Sequence, residues 1–216
     1  MSDTTFDLVV IGSGAAGLSA AVTGAVLGMS VLVLEKLAVF GGTTATSGGT
    51  LWMPGNPIAP RRNIEDSTAR ALRYLHCEPG VQLDEAQAHA FLCAVPAALE
   101  FFERNTELRF ALDGHVSDYH TDAPDALAIG RSLVARPFDG ARLGRRFAAL
   151  AQPLRSLTLG GMPMEHGRPL LDLMHGALNL RALAFLTRTM FAHGLDRMRH
   201  GRAARLYGGQ ALAARL

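Results

Sequence analysis

The stretch FDLVVIGSGAAGLSAAVTGAVLGMSVLVLEK, residues 6–36, decides the fold class. Residues 6–11 form a short apolar run that ends at a glycine, which is typical of a buried parallel strand. Residues 15–27 are mostly small and predict a helix, and residues 30–34 predict a second buried strand. The order strand, helix, strand predicts a parallel βαβ unit and therefore an α/β fold.

Three glycines between the first strand and the helix are spaced G-x-G-x-x-G. The first permits a tight turn, the second lets a pyrophosphate approach the backbone, and the third lets the helix pack closely on the strands. The helix N-terminus offers amide donors and a partial positive charge to phosphates. The pattern predicts a dinucleotide site, with a glycine-rich packing turn as the alternative. The predicted cofactor-binding residues in this turn are Gly12, Ser13, Gly14, Ala15, Ala16 and Gly17.

A carboxylate follows the second predicted strand. Glu35 lies about 20 residues past the glycines, where an acidic side chain can accept hydrogen bonds from a ribose hydroxyl. We therefore count Glu35 and its neighbour Lys36 among the predicted cofactor-binding residues. This unit by itself is compatible with NAD and with FAD.

A second glycine-rich segment, GGTTATSGGTLWMPGN at residues 41–56, favours the longer ligand. An NAD-binding domain would normally continue from residue 36 into a helix and a third strand. This segment instead offers many backbone donors and hydroxyls with little side-chain bulk, which suits a second wrap around a long ligand. We call residues 41–50 the flavin loop.

These motifs resemble those of the flavoproteins of the fumarate reductase and 3-ketosteroid dehydrogenase superfamily. The resemblance rests on the G-x-G-x-x-G turn, the Glu35-Lys36 pair, the segment 41–56, and the later DYH and GRSL…RPFDGARLG. The Thr-Thr-Ala, Ser-Gly-Gly and Trp-x-Pro-x-Asn elements favour the 3-ketosteroid Δ1-dehydrogenase branch. The resemblance is strong to about residue 56 and looser over the rest of the chain.

The resemblance implies non-covalent FAD as the cofactor. Covalent flavin attachment often uses a histidine in this loop, and there is none between Val39 and Asn56. The flavin loop is then expected to line FAD from the pyrophosphate to the isoalloxazine ring. Its predicted cofactor-binding residues are Gly41, Gly42, Thr43, Thr44, Ser47, Gly48, Gly49 and Thr50.

Tyr119 is the predicted catalytic residue. In the family, a tyrosine of this region lies near the substrate and assists a proton-abstracting tyrosine, which a phenol can do when its pKa is lowered or when it relays a proton. The alternative is a surface tyrosine with its hydroxyl in water. Arg131 and Arg136 have two interpretations as well: they shape the site near the flavin, or they form structural ion pairs.

The implied fold is the start of a Rossmann-like FAD-binding domain, with parallel strands, a mainly helical insertion and an incomplete sheet. Residues 1–58 would form the dinucleotide-binding βαβ core and flavin loop, and residues 59–216 the insertion. Family members are well over twice this length. We therefore expect a partial FAD-binding domain that lacks the substrate-capping domain and is inactive alone, since two parallel strands make a poor independent sheet.

The implied reaction removes hydrogen from a C–C bond next to a ketone, with a steroid-like ketone as the substrate. A fumarate-reductase-like enzyme with a dicarboxylate substrate stays open as an alternative, and so does a non-catalytic remnant.

Residues 1–130 carry 7 Lys and Arg against 15 Asp and Glu, and residues 131–216 carry 14 against 4. We attribute this asymmetry to mutual neutralisation, because no nucleic-acid motif accompanies the arginines, and predict no nucleic-acid partner.

Membrane and metal sites are not predicted. Residues 8–34 are uncharged and long enough to span a bilayer, but their Val and Ile ends and Gly and Ala centre indicate strand, helix, strand. His115, His120, His166 and His175 match no common ligand spacing, so no metal is expected. Cys77 and Cys93 also lack metal or redox spacing and are interpreted as free thiols of a cytoplasmic protein.

Overall fold

The computed structural model describes residues 5–78, 80, 82–159, 162–163 and 180–216. The chain divides into two compact units: unit 1 comprises Met1–Gly49 and Ala135–Leu216, and unit 2 comprises Thr50–Val134. The described helices and strands in chain order are β1 (Leu8–Ile11), α1 (Ala15–Val26), β2 (Val31–Leu34), α2 (Gly42–Thr46), β3 (Leu51–Trp52), α3 (Thr68–His76), α4 (Glu85–Asn105), β4 (Phe110–Leu112), β5 (Ser132–Ala135), β6 (Phe138–Asp139), β7 (Thr158–Leu159), β8 (Met162–Pro163), α5 (Leu180–His200), β9 (Arg205–Leu206) and α6 (Gly208–Arg215). Short 3₁₀ segments lie at Ala59–Arg62, Gly140–Ala149 and Arg155–Leu157.

Unit 1 begins with the predicted βαβ unit. β1 and β2 pair in parallel, with Leu8 opposite Val31 and Ile11 opposite Leu34, and α1 packs on both strands. The uncharged stretch 8–34 therefore forms two four-residue strands and one twelve-residue helix, in the predicted order. None of the helices in the described residues is long and apolar enough to cross a bilayer.

The prediction that both of these strands are buried is wrong for several of their side chains. Val10 is buried, whereas Val9, Ile11 and Leu34 are exposed, and the exposed fraction of Ile11 reaches 88%. Successive side chains of a strand point to opposite faces, and Val9 and Ile11 lie on the face opposite to Val10. Within the described residues this sheet has two strands, so it is incomplete as predicted.

The C-terminal part of unit 1 packs beside the flavin loop. The Phe40 amide donates to the Ala149 carbonyl at 2.7 Å, and the Ala151 amide donates back to Phe40 at 2.9 Å. Helix α6 contacts α2 and β6, and Ala45 and Ala211 are fully buried there. This unit also contains two antiparallel strand pairs, β6 with β9 and β7 with β8, and the helix α5.

Unit 2 combines a small sheet with two helices. The strand order is β3-β5-β4, and β3 pairs antiparallel with β5, with Leu51 opposite Leu133. Helices α3 and α4 pack together. Their caps come from Ser67, whose hydroxyl accepts the Arg70 amide, and from Asp84, whose carboxylate accepts the Gln87 amide. Helix α4 continues through Pro96.

Candidate dinucleotide-binding site

The first glycine turn joins β1 to α1. Gly12 has φ of +96°, a left-handed conformation that L side chains rarely adopt. At Gly17 a Cβ atom would overlap the Gly12 carbonyl oxygen and lie 3.3 Å from Val10 Cγ1. The helix therefore lies on the end of the strand at a distance that only glycine permits, as the motif predicts.

Gly14 has a different environment from Gly17. A Cβ atom at Gly14 would meet Thr44 Oγ1 at 3.6 Å, which is an ordinary contact, and its φ of −72° suits any residue. The described protein atoms therefore do not require glycine at this position. A ligand lying against the backbone would require it.

The start of α1 is open to an anion. Gly14 is the N-cap and has no side chain with which to cap the helix. The Ala15 amide donates to Thr44 Oγ1 at 2.9 Å, while the other amides of a first helical turn have no partner within the helix. Ala16 is exposed at this end. These amides and the helix dipole are suited to bind a phosphate.

Ser13 joins this turn to the second strand and to the flavin loop. Its amide donates to Glu35 Oε2 at 3.0 Å, and its hydroxyl donates to the same oxygen. The Gly41 amide in turn donates to Ser13 Oγ at 3.0 Å. The Ser13 hydroxyl lowers the pKa of Glu35 to about 2, with help from the Leu37 and Ser13 amides, so this carboxylate is ionised at neutral pH and can accept hydrogen bonds.

The flavin loop lies directly on the glycine turn. A Cβ atom at Gly42 would lie 3.3 Å from Gly14 Cα, so the two backbones touch. The loop forms the single helical segment α2, and Ser47 stabilises its end by donating to the Thr44 carbonyl at 2.8 Å and accepting the Gly49 amide at 3.1 Å. Thr43 and Ser47 are exposed. The structure therefore brings together two segments that the sequence separates by about thirty residues.

The start of α6 contributes a contact that sequence reasoning missed. A Cβ atom at Gly208 would overlap the Gly48 carbonyl oxygen, and one at Gly209 would overlap the Thr44 carbonyl oxygen. The first turn of α6 therefore packs on the backbone of the flavin loop. The signal was the Gly-Gly pair itself, which marks a close backbone approach as well as the helix start.

Two predicted site residues belong to unit 2 and lie apart from these contacts. Thr50 is an exposed residue at the start of that unit. Lys36 is exposed in unit 1, and its amide helps to lower the pKa of Glu35. Tyr119 belongs to unit 2, and its side chain is 96% exposed. In the segment VSDYH the buried polar residue is Asp118, which accepts from Trp52 Nε1 and from the Leu127 amide, both at 2.8 Å.

Arg131 forms an ion-pair cluster inside unit 2. It donates twice to Asp66, at 3.0 and 2.8 Å, and once to Asp118 at 2.7 Å. Its guanidinium lies 5.9 Å from the Trp52 ring centroid and 5.4 Å from that of Tyr74. Burial lowers the pKa of Arg131, but the hydrogen bonds and charges of both aspartates outweigh it and raise that pKa.

This cluster decides between the two interpretations of Arg131. The side chain of Arg131 is 1% exposed, so it serves as a structural ion pair, whereas Arg136 is exposed. Asp66 pairs with the Arg131 guanidinium, and burial, which would raise the pKa of Asp66, is outweighed by that contact, which lowers it.

The described residues contain no group of three or more His, Cys, Asp or Glu that could hold a metal ion. His120 Nδ1 lies 2.6 Å from Glu78 Oε2. His166 and His175 lie outside the described residues. Cys77 and Cys93 are free and exposed.

A βαβ unit with an uncapped helix N-terminus, a carboxylate after its second strand and an apposed glycine loop is typical of a dinucleotide-binding protein. Residues 7–216 match the family described as FAD binding domain, and the chain belongs to this family. FAD rather than NAD is therefore the cofactor of the family, as the flavin loop predicted.

The chain is similar to dehydrogenases of cyclic ketones. It is 34% identical over 210 residues to "3-oxosteroid 1-dehydrogenase" of Mycobacterium tuberculosis, across 96% of this chain and 37% of that protein. It is 32% identical to "4-oxocyclohex-2-ene-1-carboxylate 5-dehydrogenase" of Sinomonas cyclohexanicum, across 95% of this chain and 35% of that protein.

A solved structure supports the same fold. The crystal structure of 3-ketosteroid Δ1-dehydrogenase from Sterolibacterium denitrificans, in complex with 1,4-androstadiene-3,17-dione, matches with a TM-score of 0.85 and 30% identity. The match covers 97% of this chain and 37% of the other. These findings confirm the predicted fold and the resemblance to 3-ketosteroid dehydrogenases, and the chain spans about a third of the length of these relatives.

Proposed function

We propose that this chain binds FAD without a covalent bond, as the FAD-binding part of a dehydrogenase that acts on a C–C bond next to a ketone. The observation that carries the proposal is the apposition of the two glycine segments, with the Ala15 amide on Thr44 Oγ1 at 2.9 Å. Beside this contact, Gly14 and the start of α1 present backbone donors with room for a ligand.

The described residues fit the parts of FAD in turn. The start of α1 would bind the pyrophosphate. Glu35 would accept a hydrogen bond from the adenosine ribose, and the flavin loop would line the isoalloxazine end of FAD. FAD supplies the capacity to accept a hydride from carbon. The proposed FAD contacts are Gly12, Ser13, Gly14, Ala15, Ala16, Gly17, Glu35, Lys36, Gly41, Gly42, Thr43, Thr44, Ser47, Gly48, Gly49 and Thr50.

Dehydrogenation is proposed for a protein of the relatives' length, with a 3-ketosteroid as substrate. The steroid relative at 34% identity supports this choice. A monocyclic keto acid is the second candidate, because the relative at 32% identity is named for such a substrate. An assay of both substrates with an artificial electron acceptor separates the two.

Tyr119 is proposed as a residue that assists proton removal from the substrate. Its exposure, 96%, leaves the hydroxyl available to a partner beyond the described residues. In a protein of the relatives' length, Tyr119→Phe should lower kcat while the bound flavin stays at one per chain. Unchanged turnover would contradict this role.

The protein is also proposed to be cytoplasmic and to have no nucleic-acid partner. Two exposed free cysteines support a reducing compartment. Cell fractionation tests the first point. Retention on DNA that weakens steeply with salt would contradict the second.

The binding proposal is tested with the purified chain. After incubation with FAD and desalting, we expect retained absorption near ~450 nm at about one flavin per chain. Gly14→Ala should weaken retention, whereas Gly114→Ala is the matched control, since a Cβ atom there meets nothing within 4 Å. Acid precipitation should release the flavin into the supernatant if attachment is non-covalent. A folded, colourless wild-type chain would contradict the proposal and support a non-catalytic remnant.

A further inference from the structure

Ser13 is the middle residue of the Gly-Ser-Gly turn, yet its side chain is turned into the protein. The residue is 3% exposed. Its hydroxyl donates to Glu35 Oε2 and accepts the Gly41 amide at 3.0 Å. The hydroxyl is therefore committed to two other segments of unit 1, the end of β2 and the start of the flavin loop.

The Glu35 carboxylate is held at both oxygens. Oε2 accepts the Ser13 amide at 3.0 Å and the Ser13 hydroxyl, while Oε1 accepts the Leu37 amide at 3.0 Å. An ionised carboxylate has about four acceptor positions, and these bonds occupy three of them, while the Lys36 amide also helps to lower the pKa of this carboxyl. A carboxylate that is fixed in this way is already oriented before a ligand binds.

We propose that Ser13 is a positioning residue: its hydroxyl fixes the Glu35 carboxylate for one ribose hydroxyl and ties the start of the flavin loop to the glycine turn. The inference rests on the proposed FAD function and deepens it. It reassigns the Ser13 side chain from a direct cofactor contact to a support of two cofactor-binding segments.

The first test needs no ligand. The Glu35 carboxyl is titrated by NMR in the wild-type chain and in Ser13→Ala, with Ser19→Ala as the matched control on the neighbouring helix. The wild-type pKa should be about 2, Ser19→Ala should match it, and Ser13→Ala should rise towards the ordinary value of 4.5. A Glu35 pKa that is the same in Ser13→Ala and wild type would overturn the proposal.

The second test uses ADP as a probe of the adenosine half, and 2′,3′-dideoxy-ADP as the analogue without ribose hydroxyls. The wild-type chain should prefer ADP about tenfold, the effect of one hydrogen bond to a charged group. In Ser13→Ala this preference should fall towards one, while the affinity for the dideoxy analogue changes little. An unchanged preference would overturn the inference.

The two proposals fail in different ways. If the wild-type chain binds neither FAD nor ADP, the proposed function fails. The ligand-free titration then still tests whether the Ser13 hydroxyl holds the Glu35 carboxylate. If the wild type retains FAD and Ser13→Ala keeps both the low Glu35 pKa and the ADP preference, the inference alone fails. Ser13→Thr keeps a hydroxyl and should therefore retain both the low pKa of Glu35 and the preference for ADP. If Ser13→Ala acted only by loosening the fold, Ser13→Thr would not be expected to differ from it in these two measurements.

Discussion

The central strand of unit 2, SLVA, is less apolar than the first strand of unit 1, LVVI, but only the strand of unit 2 is covered. In unit 2, β5 lies between two other strands and Leu133 is 0% exposed. In unit 1, β1 pairs with β2 alone among the described strands, and Ile11 is 88% exposed. An apolar strand sequence therefore predicts that a strand forms, but its burial depends on how many layers surround it.

The two regions also differ in how they treat polar groups. Unit 2 encloses a guanidinium whose partners, Asp66 and Asp118, lie in the same unit. Unit 1 leaves backbone donors at the start of α1 without a capping side chain at Gly14. The first arrangement is satisfied by the chain itself, whereas the second is suited to a ligand.

The largest effect is expected at the ion-pair cluster. Arg131→Met would leave two buried carboxylates without their cation, which should cost about 3–5 kcal/mol of the free energy of unfolding. A urea titration measures the loss. Arg136→Met is the matched control in the same segment, because Arg136 is exposed, and it should stay within about 0.5 kcal/mol. Equal losses in both variants would contradict the cluster's structural role.

The second largest effect is expected from truncating a buried apolar side chain of β5, compared with an exposed one of β1. Leu133→Ala should lower the free energy of unfolding by about 2–5 kcal/mol, through lost burial and the cavity left behind. Ile11→Ala removes a similar side chain from an exposed position and should change it by no more than about 0.5 kcal/mol. A large loss at Ile11 would mean that its face of β1 is covered in solution.

The third effect separates two glycines of one motif. Gly17→Ala should cost about 1–3 kcal/mol, because the new methyl group would overlap the Gly12 carbonyl oxygen. Gly14→Ala should cost less, about 0.5–1 kcal/mol because alanine is the poorer N-cap, and should weaken FAD retention, because the described protein atoms leave room for a methyl group at this position. Equal unfolding losses would remove the argument that Gly14 is kept free for a ligand.

The sequence was informative where one segment determines its own conformation. The G-x-G-x-x-G turn, its helix and the parallel strand pair were predicted from local pattern, since turn geometry and period are local properties. The apposition of Gly208 and Gly209 on the flavin loop was not, because about 160 residues separate these glycines from Gly48 and no local rule pairs them. Structural ion pairing of Arg131 stayed an open alternative, and its partner Asp66 was not predicted, for the same reason.

Side-chain orientation was the other limit. Ser13 was predicted from its place in the motif to face the cofactor, but residue type does not tell which way a serine hydroxyl turns. The nearby acceptor at Glu35 and the donor at Gly41 decide its direction in the structure. The roles of the predicted FAD contacts and of Tyr119 stay predictions until the binding and turnover experiments are made.

The smallest expected effect is the contribution of Glu35 to the free energy of unfolding at low pH. Its pKa in the folded chain is about 2, below the ordinary 4.5, because the Ser13 hydroxyl and nearby amides bind the ionised form. A carboxyl group whose pKa is lowered by folding stabilises the folded chain at pH values above its ordinary pKa of 4.5. This contribution disappears as the pH falls from 4.5 towards 2. The difference in free energy of unfolding between wild type and Glu35→Gln should therefore shrink across that window. Ser13→Ala removes the largest cause of the lowered pKa, so the difference in free energy of unfolding between wild type and this variant should also shrink as the pH falls. A difference that stays constant from pH 6 to pH 2.5 would show that these bonds do not stabilise the ionised carboxylate of Glu35.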